Sequence, residues 1–374
     1  MAIGWFLDAD ERAFEAEVRA FLRETAGERG PFQYFEDRGG ITRRLYRQLG
    51  DRGWLGLAWP EAVGGGGRSE VYEFILWNEM AYHRVARPDT AAGICAKSLI
   101  TFGNDEQRER FLPGIRRGEI SFSLGYSEPE AGSDLGGLRT RARREGDEYV
   151  VSGEKRWTSD AHTSGFLWLL CRTGEQAGRS RGLSLLIVPA DAPGVTVAPI
   201  PTLDGHPVNE VHLDEVRVPA ANLVGAEGHG WTVVTGALAR ERHLQVMPGR
   251  LARDLRDLED WVDFNGLADD PVAVRELAIL RADAAAAEAR VLAVLQAVVE
   301  ERDSLLVAAH AKLVGSLVMQ RMARLPVALG HPGALERGGA MEFLWRQITM
   351  ETIAGGTTEI MRDMIARREL EAYG

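Results

Sequence analysis

Two stretches lie in the part of the chain that decides the fold: GYSEPEAGSD (Gly125–Asp134) and SGEKRWTS (Ser152–Ser159). From Ile120 to Val224 the sequence around them consists of short apolar or alternating runs bounded by Gly, Pro, Asp and Ser, which is the pattern of β-strands. Arg144–Asp147 has the composition of a hairpin turn. Because no helical segment separates the runs, we expect a small antiparallel barrel or sandwich. The predicted strands are Ser121–Leu124, Tyr149–Val151, Phe166–Cys171, Leu183–Val188 and Val211–Leu213.

The hydrophobic spacing becomes helical on both sides of this region. Before it, apolar residues at helical spacing follow the possible helix caps Asp8 and Asp10. Further helices are predicted over Glu70–His83 and Asp105–Arg117. After it, Asp270-Pro271 is a favourable helix start, two long helices follow, and a last helical pair is broken at Gly355-Gly356. The order predicts an α+β chain with three domains: N-terminal α-helical (1–119), middle β (120–224) and C-terminal helical bundle (225–374).

Composition excludes several classes of protein. The chain has 374 residues and a formal charge of -11, which argues against nucleic-acid binding but leaves room for a local Arg cluster that holds a polyanionic ligand. Cys95 and Cys171 form no CxxC, and the histidines show no HExxH spacing, so we expect no metal site. The first residues lack a signal-peptide pattern, and no apolar run is long enough for a membrane span. The expected location is therefore the cytoplasm.

The two stretches, together with IAGGTTEI (Ile353–Ile360), closely resemble the signatures of the acyl-CoA dehydrogenase family. The resemblance covers nearly the whole chain. It implies an N-terminal helical domain, a middle antiparallel β-barrel domain and a C-terminal four-helix bundle. It also implies FAD as cofactor, an acyl-CoA as substrate, and an electron-transfer flavoprotein as electron acceptor.

The resemblance assigns roles to particular residues. Ser127 and Ser159 match family positions that hydrogen-bond the edge of the flavin, and Tyr126 and Trp157 match neighbouring flavin contacts. Ser133 matches a contact to the CoA portion of the substrate. In the C-terminal signature, Thr357 and Glu359 match cofactor-binding positions. Without the resemblance, a tryptophan at a strand end is usually part of the core, and Ser-Glu-Pro is usually a turn.

The catalytic base needs a separate argument, because α-proton removal requires a positioned carboxylate. In many family members this Glu comes just before the Gly-Thr of the C-terminal signature, where this chain has Gly355. Another branch carries the Glu on a C-terminal helix before an Arg, and Glu241-Arg242 matches that place. We therefore predict Glu241 as the base, Arg242 as a substrate contact, and the Gly355 N–H as a donor to the thioester oxygen. The simpler interpretation of Glu241 is a solvated helix carboxylate paired with a neighbouring Arg.

Two segments depart from the family pattern. Trp261–Gly266 lacks the Arg that reaches the cofactor diphosphate of a neighbouring subunit, and Ala328–Gly333 lacks the Gly-rich adenine loop. In this respect the chain resembles the actinobacterial steroid and bulky-acyl branch, in which two unlike subunits form a tetramer. We expect a homo- or hetero-oligomer, arranged as a dimer of dimers. Three alternatives stay open: a flavin monooxygenase, a carrier-protein-tethered desaturase, and a non-catalytic partner subunit of a heteromeric dehydrogenase.

Overall fold

The computed structural model describes residues 6–26, 40–85, 89–174, 180–205, 208–241 and 246–371, with the backbone alone at 26, 40–41 and 237–241. These residues form two compact units. The first contains the described parts of 1–38, 68–87 and 242–374, and the second those of 39–67 and 88–241. The N-terminal residues of the chain therefore contribute to both units. None of the helices in the described ranges combines the length and apolarity needed to cross a membrane.

The first unit is helical. Its centre is a hydrophobic core formed by four helices, with Leu258, Leu280, Met322 and Leu344 among the buried side chains. The last helix packs against the long helix that begins at Leu305. The helices are α1 (Ala9–Ala26), α3 (Glu70–His83), α7 (Pro248–Phe264), α8 (Pro271–Val299), α9 (Leu305–Ala328), α10 (Ala340–Glu351) and α11 (Thr358–Glu371), with a 3-10 turn at Pro332–Leu335.

Capping side chains determine where several of these helices begin. The Asp270 carboxylate accepts hydrogen bonds from the N–H groups of Val272 and Ala273, so α8 starts at the predicted Asp-Pro. Ser69 caps α3 in the same way through the Val71 N–H. The predicted helix at Glu70–His83 and the predicted break at Gly355-Gly356 are both confirmed.

The second unit is built on an eight-stranded sheet with the order β6-β7-β3-β2-β4-β5-β8 and with β1 beside β4. The strands are β1 (Phe122–Gly125), β2 (Arg141–Glu145), β3 (Glu148–Ser159), β4 (Phe166–Arg172), β5 (Leu183–Pro189), β6 (Val195–Ile200), β7 (Val208–Pro219) and β8 (Leu223–Val224). The helices are α2 (Gly40–Asp51), α4 (Ala96–Phe102), α5 (Asp105–Arg116) and α6 (Gly230–Glu241), with a π-helical turn at Ala91–Cys95 and 3-10 turns at Glu61–Val63, Leu135–Gly137 and Ala220–Asn222.

Most strand pairs are antiparallel, as predicted, and the predicted hairpin turn joins β2 to β3. Two contacts differ from a purely antiparallel sheet: β1 runs parallel to β4, and Arg141 of β2 pairs in parallel with Arg172. These pairings join strands that are distant in sequence, so no hairpin forces them to be antiparallel. An aromatic cluster anchors β1, because the Phe122 ring lies 5.8 Å from that of Phe111 in α5 and 5.7 Å from that of Trp168 in β4.

Candidate active site

The segment Tyr126–Ser133 leaves the end of β1 and forms a tight turn. The N–H of Glu128 donates to the carbonyl of Ala131 at 3.0 Å, and the N–H of Ala131 donates back to Glu128 at 3.1 Å. This closure puts Tyr126 and Ser127 before the turn, where both are half-buried, and leaves Ser133 exposed after it. Ser-Glu-Pro is therefore a turn, as its composition predicts, and it stands at the end of a buried strand.

The third strand contains a bulge at the predicted flavin-contact tryptophan. In the pairing with β7, Lys155 faces Val211 and Thr158 faces Asn209, so β3 has one more residue than its partner between these pairs. Trp157 lies inside the bulge with φ of 63°, a left-handed conformation that is costly for a residue with a side chain. Its indole is 55% exposed, and the Arg156 guanidinium lies 5.0 Å from the ring centroid. The bulge thus takes the tryptophan out of the core.

Hydrogen bonds bring the two signature stretches side by side. The backbone N–H of Arg156 donates to the carbonyl of Ser127 at 2.8 Å, and the Lys155 ammonium donates to the carbonyl of Tyr126 at 3.1 Å. Tyr126 and Ser127 are therefore held against β3 immediately before Trp157. The sequence prediction named these contact residues but did not assign a role to Lys155, although it lies within the quoted SGEKRWTS stretch.

The turn after Ser159 is fixed on its other side. Asp160 also has a positive φ, 59°, and its carbonyl accepts hydrogen bonds from the N–H groups of Thr163 and Ser164, both at 3.0 Å. The Ser164 hydroxyl lies 2.5 Å from that of Ser123 in β1. Ser159, which is exposed, thus stands between two left-handed residues on a chain segment tied to β1.

The arrangement fits a planar aromatic cofactor with polar edges. It combines the exposed Trp157 indole with the exposed Ser159, two residues along the strand, and with the half-buried Ser127, whose carbonyl accepts from the Arg156 backbone N–H. Left-handed residues and bulges of this kind are a cost that proteins retain at functional sites. The donor set can hydrogen-bond the heteroatoms of an isoalloxazine ring while the indole lies against it.

In the helical unit, the C-terminal signature forms the turn between α10 and α11. Gly355 and Gly356 have φ of 68° and 99°, and a Cβ on Gly356 would lie 2.6 Å from the Met361 Cε. Thr357 caps α11, because its hydroxyl accepts from the Ile360 N–H at 3.2 Å. Within the described residues, no backbone carbonyl accepts a hydrogen bond from the Gly355 N–H. Glu359 is exposed, and hydrogen bonds from its own backbone and from Thr358 and Thr357 hold the pKa of its carboxyl below the usual range.

Two predicted residues cannot be compared with the structure. Helix α6 ends at Glu241, but the Glu241 side chain and the whole of Arg242 lie outside the described residues. Their roles stay predictions.

One group of potential metal ligands occurs in the described part of the chain. The ligand atoms of Glu154, Glu210 and His212, on the outer part of the β3–β7 pair, lie within 4.8 Å of one another. Arg156 forms an ion pair with Glu210 at 3.1 Å, so a cationic side chain already neutralises this carboxylate. The group gives no independent sign of a bound metal.

Comparisons with known proteins all indicate one family. Three family models match the chain: "Acyl-CoA dehydrogenase, N-terminal domain" at residues 8–119, "middle domain" at 123–216 and "C-terminal domain" at 228–370. The chain is 35% identical over 370 residues to "Acyl-CoA dehydrogenase FadE26" of Mycobacterium tuberculosis, covering 93% of this chain and 90% of the relative. It is 34% identical to "Acyl-CoA dehydrogenase FadE29" of the same organism, covering 98% and 97%.

Two solved structures are similar to the chain over nearly its whole length. The structure "Tcur3481-Tcur3483 steroid ACAD" matches with a TM-score of 0.91 and 34% identity, over 98% of both chains. The ChsE4-ChsE5 complex from Mycobacterium tuberculosis matches with a TM-score of 0.88 and 32% identity, again over 98% of both chains.

Proposed function

The chain belongs to the acyl-CoA dehydrogenase family, and we propose that it oxidises an acyl-CoA thioester to the trans-2-enoyl-CoA with FAD as its cofactor. The observation that carries the cofactor assignment is the left-handed, half-exposed Trp157 in the β3 bulge, with Ser159 two residues further along the strand and the Ser127 carbonyl hydrogen-bonded to the neighbouring Arg156 backbone. An inward-packed tryptophan without strain would not support a flavin.

The proposed chemistry divides between a base and an oxygen-binding donor. Glu241 takes the proton from the α-carbon, and the Gly355 N–H donates a hydrogen bond to the thioester oxygen as negative charge develops there. Support for the second role comes from the turn at Gly355, whose positive φ suits glycine and whose N–H has no backbone acceptor among the described residues. When bound, the flavin would supply the two-electron acceptor for the hydride that leaves the β-carbon.

We propose Tyr126, Ser127, Trp157, Ser159, Thr357 and Glu359 as the residues that hold the cofactor. Thr357 caps α11 through its hydroxyl oxygen and also hydrogen-bonds the Glu359 carboxylate, so the two residues form one polar group directly after Gly355-Gly356. Ser133 and Arg242 are proposed to contact the substrate, with Ser133 on the CoA side. The division into domains at 1–119, 120–224 and 225–374 belongs to the same proposal.

A bulky acyl group, such as a steroid side chain, is the proposed substrate class. The absence of a side chain at Gly355 removes volume where many family members carry the catalytic Glu, and a matching structure carries the name "steroid ACAD". We further propose a cytoplasmic enzyme that passes its electrons to an electron-transfer flavoprotein.

An unlike partner subunit is proposed to complete the cofactor site. The two segments that depart from the family pattern are in contact with each other: the Trp261 ring meets the His331 ring edge-on at 5.4 Å. Phe264, in the first segment, is 89% exposed at the end of α7, and Leu335, two residues after the second, is 50% exposed. Both offer apolar surface to a partner, and the matching ChsE4-ChsE5 structure is a complex of two proteins.

The proposal is tested by substituting Glu241→Gln and mixing the protein anaerobically with a panel of acyl-CoA thioesters, with and without its genomic-neighbour paralogue. We expect FAD to stay bound and the rate of flavin reduction to fall by a factor of about 10² to 10⁴, the usual contribution of a general base. Glu106→Gln, an exposed glutamate of α5, is the matched control and should reduce flavin at the native rate. Substantial reduction by the Glu241 variant would assign the proton to another group. A native chain that reduces no flavin in any mixture would favour the non-catalytic subunit.

A further inference from the structure

We propose that Glu128 and Lys155 are positioning residues, which fix the Tyr126–Ser127 peptide against the β3 bulge and so orient the groups of Ser127 that face the cofactor. The inference rests on the proposed flavin site. It adds a role for two signature residues that contact neither the substrate nor the flavin in that proposal.

The pair is buried and fully engaged. Lys155 is 0% exposed and Glu128 is 7% exposed, and the ammonium nitrogen lies 2.8 Å from Glu128 Oε1. The same nitrogen donates to the carbonyl of Tyr126 at 3.1 Å. Glu128 in turn accepts hydrogen bonds from the N–H groups of Arg139 at 2.5 Å and Thr140 at 2.9 Å. One ion pair therefore joins the turn after β1, the approach to β2 and the middle of β3.

The ionic form of the pair follows from these contacts. Burial alone would raise the pKa of Glu128, but the Lys155 charge, with hydrogen bonds from Lys155, Thr140 and Arg139, outweighs it and holds the pKa below the usual range. Burial lowers the pKa of Lys155, and the Glu128 carboxylate opposes that shift. Removing one partner leaves an uncompensated buried charge, which is far more costly than removing both.

The orientation of Ser127 depends on this pair for a geometric reason. A trans peptide has its C=O and N–H pointing in opposite directions. Since the Tyr126 carbonyl points at the buried Lys155 ammonium, the N–H of Ser127 points away from it. The Ser127 carbonyl is held separately by the Arg156 N–H at 2.8 Å. With both carbonyls held by hydrogen bonds, the backbone N–H of Ser127 has one orientation relative to β3.

A neutral side chain of similar size at position 155 could fill the same space, but it would not reproduce the hydrogen bond of the lysine. A neutral side chain such as methionine cannot donate to the Tyr126 carbonyl. The peptide would then be free to rotate, and the cofactor would have to restrict it on binding. Weaker and slower binding follows even where the overall stability of the protein is restored.

The test uses Lys155→Met, Glu128→Gln and the double variant in the full chain, with its partner if one is required. The control is Asn222→Ala, which removes another buried side chain, one that donates to the Ile187 carbonyl at 2.7 Å. We expect both single variants to lower the urea midpoint and the double variant to regain part of what Lys155→Met loses. The FAD dissociation constant should rise by about tenfold in Lys155→Met and in the double variant, the equivalent of one hydrogen bond. The control should lower the urea midpoint and bind FAD with the native constant.

A merely structural role predicts a different pattern, in which the double variant recovers FAD affinity together with stability. That pattern, or native FAD affinity in Lys155→Met, overturns the inference. A second measurement, amide hydrogen exchange in the apo protein, separates it from the proposed function. We expect residues 126–131 to exchange faster in Lys155→Met than in Asn222→Ala, and equal exchange would overturn the positioning role. A native protein that binds no FAD would defeat the proposed function alone.

Discussion

The left-handed conformation of Trp157 can be tested by comparing Trp157→Gly with Trp157→Ala. Both substitutions remove the indole, so the difference between them reports the backbone alone. A residue with a Cβ pays about 1–2 kcal/mol in the left-handed region. Glycine avoids this cost but loses about 0.5–1 kcal/mol through its larger unfolded-state entropy. With φ of 63° at this position, we expect Trp157→Gly to be more stable than Trp157→Ala by about 0.5–1 kcal/mol.

The neighbouring residue provides the reference. At Arg156, which is not among the positive-φ residues, Arg156→Gly should be less stable than Arg156→Ala by about 0.5–1 kcal/mol. The glycine-minus-alanine difference between the two positions then isolates the left-handed strain, about 1–2 kcal/mol. Urea unfolding of the apo protein measures all four variants. If alanine is the more stable residue at both positions, the bulge does not hold Trp157 in the left-handed region, and the argument for a retained functional strain fails.

Other predictions concern the two units separately. The pKa of His83 is lowered to about 4 by burial and by the charges of Arg23, Arg253 and Arg19. Because this value lies below the unfolded one, the free energy of unfolding should fall as the pH drops from about 6.5 to about 4. His83→Gln should flatten this pH dependence of the urea midpoint. Gly249→Ala would put a Cβ 2.1 Å from the Asn78 carbonyl oxygen and should cost about 3 kcal/mol in urea unfolding, whereas Gly165→Ala, with its nearest neighbour at 3.8 Å, should change stability by less than about 0.5 kcal/mol. Leu258→Ala removes a side chain that is 0% exposed in the four-helix core and should cost about 2–5 kcal/mol; an unchanged urea midpoint would contradict the described packing.

Local signals explain which elements were predictable from the sequence. The helix at Glu70–His83 has a serine cap, and α8 has an aspartate cap before proline, so their starts are encoded within a few residues. Strands β4 and β5 are buried along nearly their whole length and read as continuous apolar runs. Strand β6 was not predicted, because Val195–Ile200 is only half-buried and contains a proline.

Non-local features were beyond the sequence argument. The parallel pairing of β1 with β4 depends on the aromatic packing of Phe122 against Phe111 and Trp168. The bulge at Trp157 appears only when the register of β3 against β7 is known. The Glu128–Lys155 pair joins residues 27 positions apart. The resemblance therefore predicted the contact residues, and only the three-dimensional structure shows the ion pair that holds them.

The central claim is that this chain builds a flavin site at which an acyl-CoA loses two hydrogens. Its most direct test is an anaerobic titration of the purified, FAD-loaded protein, in complex with its paralogue if one is required, with bulky acyl-CoA thioesters. We predict that the visible absorbance of the flavin bleaches in proportion to the substrate added and that a trans-2-enoyl-CoA forms in equal amount. A flavin that stays oxidised with every thioester of the panel, while remaining bound to the protein, would contradict the claim.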